Sequence, residues 1–384
     1  MNKDIKTLTG LRGISALIVM LYHFLSLDAC CQNYVPALIK RGYLGVDVFF
    51  VLSGFVMALN YARFFKDGIT TSSYTAFMVK RLARIYPLYI VITLLFLPHY
   101  DFSGLRGVWA VDAHLADFIA CVFMIQAWGF GFANIAAATW SLSAEFFAYI
   151  IFPFTVFFAV YARPAYAWGL FALAAVFLYI VASSHLGIVG PMDVVSLSSA
   201  LPVLRCLAGF FLGLIGYRLS QVNACRTFLS SSTALIVLIT GFLLALHFKA
   251  HDVIVFAFFL PILLALFYES ACARLIFANR AADHLGVISY SLYLAHPLFM
   301  PVKTNLETIA ARHDLGAITH LLIFIFVILL SWGSACLLYR FIEMPGRLYV
   351  QYLFRRRITH LPALPEVKPE LLPTVTVDDQ PSRL

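Results

Sequence analysis

Charge is what this chain has least of. Only 12% of its 384 residues are Asp, Glu, Lys or Arg, against about 25% in a soluble domain. Apolar residues make up 62% and aromatics 16%, so there is too little polar surface to coat a globule in water. A soluble enzyme, a disordered chain and a nucleic-acid-binding domain are excluded on that ground, and no nucleic-acid partner is expected. No internal repeat is evident, and no hydrophilic stretch is long enough to be a separate soluble domain. Cysteine is sparse too: Cys30, Cys31, Cys121, Cys206, Cys225, Cys272 and Cys336 match no zinc or redox spacing, and no metal site is expected. An odd, scattered set argues against a disulfide framework. The first apolar segment also lacks the small-residue cleavage pattern of a secretory signal peptide.

What the chain does have is eleven apolar segments, at about 8–28, 43–62, 85–98, 115–131, 140–161, 166–182, 199–219, 229–247, 253–268, 285–301 and 318–342. They are too long and unbroken for barrel strands, so the expected fold is an all-α integral membrane protein. Both termini carry basic residues and read as cytoplasmic, which requires an even number of crossings. The 115–131 segment is short, holds Asp117 and ends in Gly129 and Gly131, which makes it the candidate re-entrant or interfacial segment. With ten crossings, twenty of the 27 Lys and Arg lie on the side of both termini and six on the other, with Arg205 inside a span. The expected organisation is a membrane domain over 1–345 and a basic, Pro-rich, partly disordered cytoplasmic tail over 346–384.

An ionisable residue at membrane depth is a functional candidate, because burying it is costly unless it is paired or hydrated. Arg12 and His23 are eleven residues apart and share a helical face, separated by roughly 16 Å along the axis. Arg12 then sits at the cytoplasmic headgroups and His23 near the midplane. Two readings of His23 stay open: a proton-transfer group, or a ring that only bonds a neighbouring helix. The same helical rise places His296 at the level of His23, with Tyr290 and Tyr293 below it. These four either line one cavity or are unrelated.

Arg81 and Arg84 share a face three residues apart. They read either as a fork for phosphate oxygens or as a plain positive-inside anchor. Glu145, a turn into its span, needs a partner, for which Arg205 is a candidate. Asp47 lies near the outer surface, where it is either simply hydrated or a functional group. The small residues at 42, 45, 53 and 54 allow close helix approach, and Ser53-Gly54 reads as packing.

Six motifs occur in order: Arg12-x10-His23, GYLGVDVFFVLSGF, RLARIYPLY, WSLSAEFF, ISYSLYLAHP and Phe341-Ile342-Glu343-Met344-Pro345. Together the chain resembles the membrane acyltransferase-3 family from residue 8 to about 347. The resemblance implies a ten-helix membrane domain that moves an acyl group, usually acetyl, from cytoplasmic acyl-CoA to a hydroxyl of an extracytoplasmic or lipid-linked glycan. It implies His23 as the essential histidine and Arg12 as its motif partner. Arg81 and Arg84 would join Arg12 at the donor, and Glu145 would be the acidic residue of the site.

Tyr290 or Tyr293 is then a candidate donor to the oxyanion, with Asp47, Ser53, Arg205 and His296 as candidate cavity-lining residues. Acyl-CoA, acetyl-CoA first, is the expected donor, and the bacterial inner membrane the expected location. No esterase-like domain is expected after the last span, and the membrane domain is then expected either to complete transfer or to pass the acyl group to a separate periplasmic partner. The alternative from another class is a secondary transporter or flippase for a glycan or lipid-linked sugar, in which midplane His and Glu relay protons.

Overall fold

The computed structural model describes residues 5–25, 35–99, 108–195 and 198–355. Among these residues there are helices, turns and no strand. The helices are α1 (Lys6–Leu25), α2 (Ala37–Lys40), α3 (Gly45–Tyr61), α4 (Thr71–Phe96), α5 (Val108–Val122), α6 (Trp140–Val156), α7 (Pro164–Ala182), α8 (Leu201–Ser220) and α9 (Asn223–Leu229). They continue as α10 (Ser232–His247), α11 (Asp252–Ala257), α12 (Phe259–Phe267), α13 (Ala271–Phe277), α14 (Arg280–Ala295), α15 (Met300–Arg312), α16 (Ala317–Leu338) and α17 (Met344–Arg355). Seven helical stretches among the described residues are long and apolar enough to cross a membrane, or nine if two bent pairs each count as one span. The all-α membrane architecture is as expected, and ten is an approximate count of its crossings.

Three stretches depart from simple hydropathy. The segment expected from 85 begins at Thr71, because Thr70 and Ser73 form a reciprocal capping box that starts α4 well before its apolar half. The segment expected over 115–131 is helical only to Val122. Met124 then adopts a left-handed φ of 57°, and Gly129 and Gly131 have φ of 89° and 81°. This irregular run is tied down by side chains. Ser143 donates to Met124 O and accepts from Ala127 N, Trp128 donates to Ser143 O, and Gln126 donates to Tyr89. Non-helical backbone in a membrane protein is tolerated where protein buries it in this way. The residues after Glu343 open as a helix, α17, whose Gly346 packs on Pro87 of α4. The rest of the expected tail, and Cys30–Cys31, lie outside the described residues.

The interior is built on α1, α3, α8 and α14, which touch backbone to backbone. A Cβ on Gly54 would collide with Phe210 O, and one on Gly213 with Val51 O, so α3 and α8 meet at these glycines. On α1 and α14, a Cβ on Gly13 would strike Gly286 N, and one on Gly286 would strike Thr9 O. Helices that cannot gain from a hydrophobic effect against lipid associate through such small-residue contacts. By contrast α7 and α16 expose Trp168, Tyr179, Ile318 and Leu322, the pattern of helices facing hydrocarbon.

Candidate active site

The Gly13–Gly286 contact sets the register of the site. Both α1 and α14 run in the same direction, and the two histidines lie ten residues beyond the two glycines. His23 and His296 therefore arrive side by side, with ring centroids 5.0 Å apart and His296 Nε2 at 3.3 Å from His23 Nδ1. At the other end Arg12 donates to Gly286 O and to Ser289 Oγ, both at 2.9 Å.

The tautomers follow from the partners. His23 Nδ1 lies 2.8 Å from Val19 O, and His296 Nδ1 lies 3.2 Å from Leu292 O. A carbonyl only accepts, so each Nδ1 carries the proton. His296 Nε2 can then accept from His23 Nδ1–H. That leaves His23 Nε2 as a bare lone pair with no hydrogen bond to a described residue. Helix bonding accounts for one ring nitrogen and leaves the other unused, so both readings stay open.

His23 lines a cavity of about 50 Å³ together with Tyr43, Trp140, Asp193, Arg205 and Tyr293. Its polar walls are fixed. Tyr22 donates to Asp193 at 2.9 Å, and Tyr43 donates to Asp252 at 2.8 Å. Arg205 grips Asp47 with a two-pronged bond, Nε to Oδ1 at 2.8 Å and Nη2 to Oδ2 at 2.7 Å, and Nη2 also donates to Tyr43 O. Both side chains are 0% exposed. This corrects two expectations. Asp47 is not hydrated at a surface, and Arg205 pairs with Asp47 rather than Glu145. The α3–α8 glycine contact carries Asp47 and Arg205 to the same level, and a buried guanidinium takes the carboxylate that offers a bidentate fit.

Glu145 is satisfied by neutral donors instead: Ser53 at 2.5 Å and Tyr149 at 2.7 Å. Ser53 is thus a ligand of Glu145, while the neighbouring Gly54 is the packing residue. Ser141, Glu145 and Tyr149 follow one another at four-residue steps and make a polar stripe on α6. A second stripe runs from Tyr290 and Tyr293 on α14 to His296 just past its end. The stripes meet where Tyr293 and Ser141 share a 2.7 Å hydrogen bond. The Tyr290 hydroxyl is occupied by Ile85 O at 2.6 Å and does not line the His23 cavity, whereas Tyr293 does.

Beyond Tyr149 lie the arginines. Arg81 donates to Tyr61 at 2.8 Å and lies over its ring at 4.7 Å, with Tyr149 at 5.9 Å. Its Nε is buried without a partner. Arg84 makes no hydrogen bond to a described residue. Nearby, the motif residue Glu343 accepts from Ser291 at 2.7 Å and lies within electrostatic reach of Arg84, Arg12 and Arg347.

The structure thus gathers the expected residues into two groups joined by a seam. His23, His296, Tyr293, Asp47 and Arg205 stand at one end, Arg81, Arg84 and Glu145 with Ser53 towards the other, and Arg12 beside the second group. Sequence reasoning missed Asp193, Tyr22, Ser141, Tyr149 and the partner of Glu343. Four-residue spacing from Glu145 points to Ser141 and Tyr149. Nothing in the sequence singles out Asp193, which reaches the cavity from the connection between α7 and α8. Among the described residues no group of His, Cys, Asp and Glu could hold a metal ion.

The chain also resembles known proteins. A family model described as an acyltransferase domain matches residues 5–340. The chain is 33% identical over 154 residues to the acyltransferase MdmB of Streptomyces mycarofaciens, covering 38% of each. It is 27% identical over 169 residues to the peptidoglycan O-acetyltransferase OatA of Listeria monocytogenes, covering 40% of this chain and 24% of that one. It is 26% identical over 150 residues to an O-acetyl transferase of Shigella phage Sf6, covering 36% and 42%. The chain therefore matches less than half the length of each of these relatives. No solved structure matches it. The family match spans most of the chain, and the protein belongs to the acyltransferase-3 family.

Proposed function

From that membership we propose that the protein is a membrane O-acyltransferase. It moves a short acyl group, acetyl first, from acyl-CoA to a hydroxyl of a glycan or lipid-linked saccharide. Residues 1–345 form the catalytic membrane domain and 346–384 a tail. The expected setting is a bacterial inner membrane with both termini in the cytoplasm. The CoA phosphates dock at Arg81 and Arg84, with Arg12 closing that end of the seam. The pantetheine arm follows the α6–α14 stripes past Glu145 and Tyr290 towards the His23 cavity, which requires the Tyr293–Ser141 contact to part. His23 Nε2 takes the proton of the acceptor hydroxyl as its oxygen attacks the thioester carbon, and the thiolate leaves with CoA. His296 holds the His23 tautomer. Tyr293, already in the cavity, is the tyrosine suited to meet the acyl group.

The observation that carries this reading is the unpartnered Nε2 of His23, a residue that shares a cavity with Asp193, Arg205 and Tyr293, with a line of polar side chains between that end and Arg81. A cavity of about 50 Å³, where one water needs roughly 10–15 Å³ on the same measure, has room for a group as small as acetyl. The test compares surface glycans by mass spectrometry from cells with and without the gene, and from cells carrying H23A at equal membrane level. Loss of the acetyl mass in both deletion and H23A supports the reading, and full acetylation in H23A overturns the base. Loss of whole glycan rather than of its acetyl groups would indicate transport.

A further inference from the structure

Arg205 holds more hydrogen-bonding capacity than its structural role uses. The clamp between α3 and α8 needs Nε and Nη2, and both are satisfied by Asp47 and Tyr43 O. Nη1 remains, fully buried and without a partner. Arg205 lines the same cavity as His23, with its guanidinium carbon 5.4 Å from the Trp140 ring centroid. A buried donor of a charged group left without an acceptor is destabilising. A residue serving only as a clamp would be expected to have that end bonded to protein.

We propose that Arg205 Nη1 is the hydrogen-bond donor that receives the acyl carbonyl oxygen during transfer. This assignment rests on the acyltransferase reading above. The electrostatics narrow the ligand. Asp47 already balances the guanidinium charge, and Asp193 adds a second carboxylate to the cavity wall. Such a site is hostile to a permanent anion such as phosphate. It suits a neutral carbonyl whose oxygen becomes negative only at the transition state, where a fixed donor acts without reorganising.

In the step itself, the acceptor oxygen bonds to the thioester carbon as its proton passes to His23 Nε2. The carbonyl π pair moves onto oxygen and is held by Nη1–H. Collapse of that tetrahedral species restores the C=O bond and breaks the C–S bond. The CoA thiolate then takes the proton from His23, leaving ester and free thiol. The Asp47 fork, by fixing the guanidinium plane, is the positioning group, and Arg205 is the catalytic residue.

The test uses the full-length protein in lipid nanodiscs and two non-reacting donors. S-acetonyl-CoA keeps a planar ketone, while S-trifluoroacetonyl-CoA hydrates to a tetrahedral centre. The unaltered protein should prefer the tetrahedral analogue. In R205K the ammonium still faces Asp47 but Nη1 is gone. That preference should fall about 100-fold, and acetyl incorporation into cell-surface glycan should slow by about 10²–10³. Affinity for the planar analogue should stay within about threefold, since it lacks the developing charge.

A merely structural role would weaken both analogues together, and an unchanged preference or an unimpaired rate overturns the assignment. Should R205K not purify folded, D47E keeps the carboxylate while displacing the guanidinium. It should then cut the preference about tenfold, and an unchanged ratio again overturns it. If the unaltered protein transfers no acetyl group, the acyltransferase reading fails and this one with it. If it does and R205K equals it, only this one fails.

Discussion

At the histidine end, Asp47, Arg205, Tyr43, Asp252, Tyr22 and Asp193 use up most of one another's bonding capacity. At the arginine end, Arg84 bonds no described residue and Arg81 leaves Nε bare against the Tyr61 ring. The first arrangement is compact, its polar groups bonded to one another, with more carboxyl groups than cations. The second has cations to spare and aromatic walls. Fixed surroundings suit a place where bonds change, because the dipoles are already aimed. Spare guanidinium donors suit a place where a polyanion is caught and released. On the proposed function, the two ends of one membrane protein would separate chemistry from capture.

Breaking the histidine end should cost most. H23A removes the base and should lower glycan acetylation by about 10²–10⁴-fold with membrane level intact, as read by mass spectrometry. D47A strands the buried Arg205 guanidinium and should cost about 3–5 kcal/mol of stability, measured by thermal unfolding in detergent. D47L should cost no less, because the stranded cation and not the lost volume is the cause. G213A pushes a methyl group into Val51 O and should cost about 1–3 kcal/mol. It moves the histidine end through its scaffold rather than its chemistry.

At the arginine end the effects should be milder and of another kind. R84A should raise the acyl-CoA concentration for half-maximal rate about tenfold and leave the maximal rate unchanged, since a charged hydrogen bond is worth roughly 1.5–3 kcal/mol. That increase should shrink as salt rises. If instead R84A lowers the maximal rate and H23A mainly shifts the acyl-CoA requirement, the division of labour is the reverse of the one drawn here.

Much of this was legible from residues alone, and what was missed has physical causes. The Arg12–His23 spacing and the common level of His23 and His296 follow from helix pitch, which is local. Which carboxylate faces Arg205 depends on which helix neighbours α8, and the glycines that decide it look alike on every helix. Glu145 was paired with the nearest conceivable cation because its partners, Ser53 and Tyr149, are neutral and carry no charge signal. Asp193 lies in a loop whose path depends on the whole assembly. α4 was cut short because hydropathy sees only its apolar half, while Thr70 and Ser73 begin it earlier.

The contact between Gly13 and Gly286 acts as a datum from which two parallel screws are measured out. Insert one residue in α1 between Gly13 and His23, and the imidazole swings about 100° round the axis and climbs about 1.5 Å, away from His296. An insertion before Thr9 leaves that phase untouched. The ten residues from Gly13 to His23, and the ten from Gly286 to His296, should therefore tolerate no change of length.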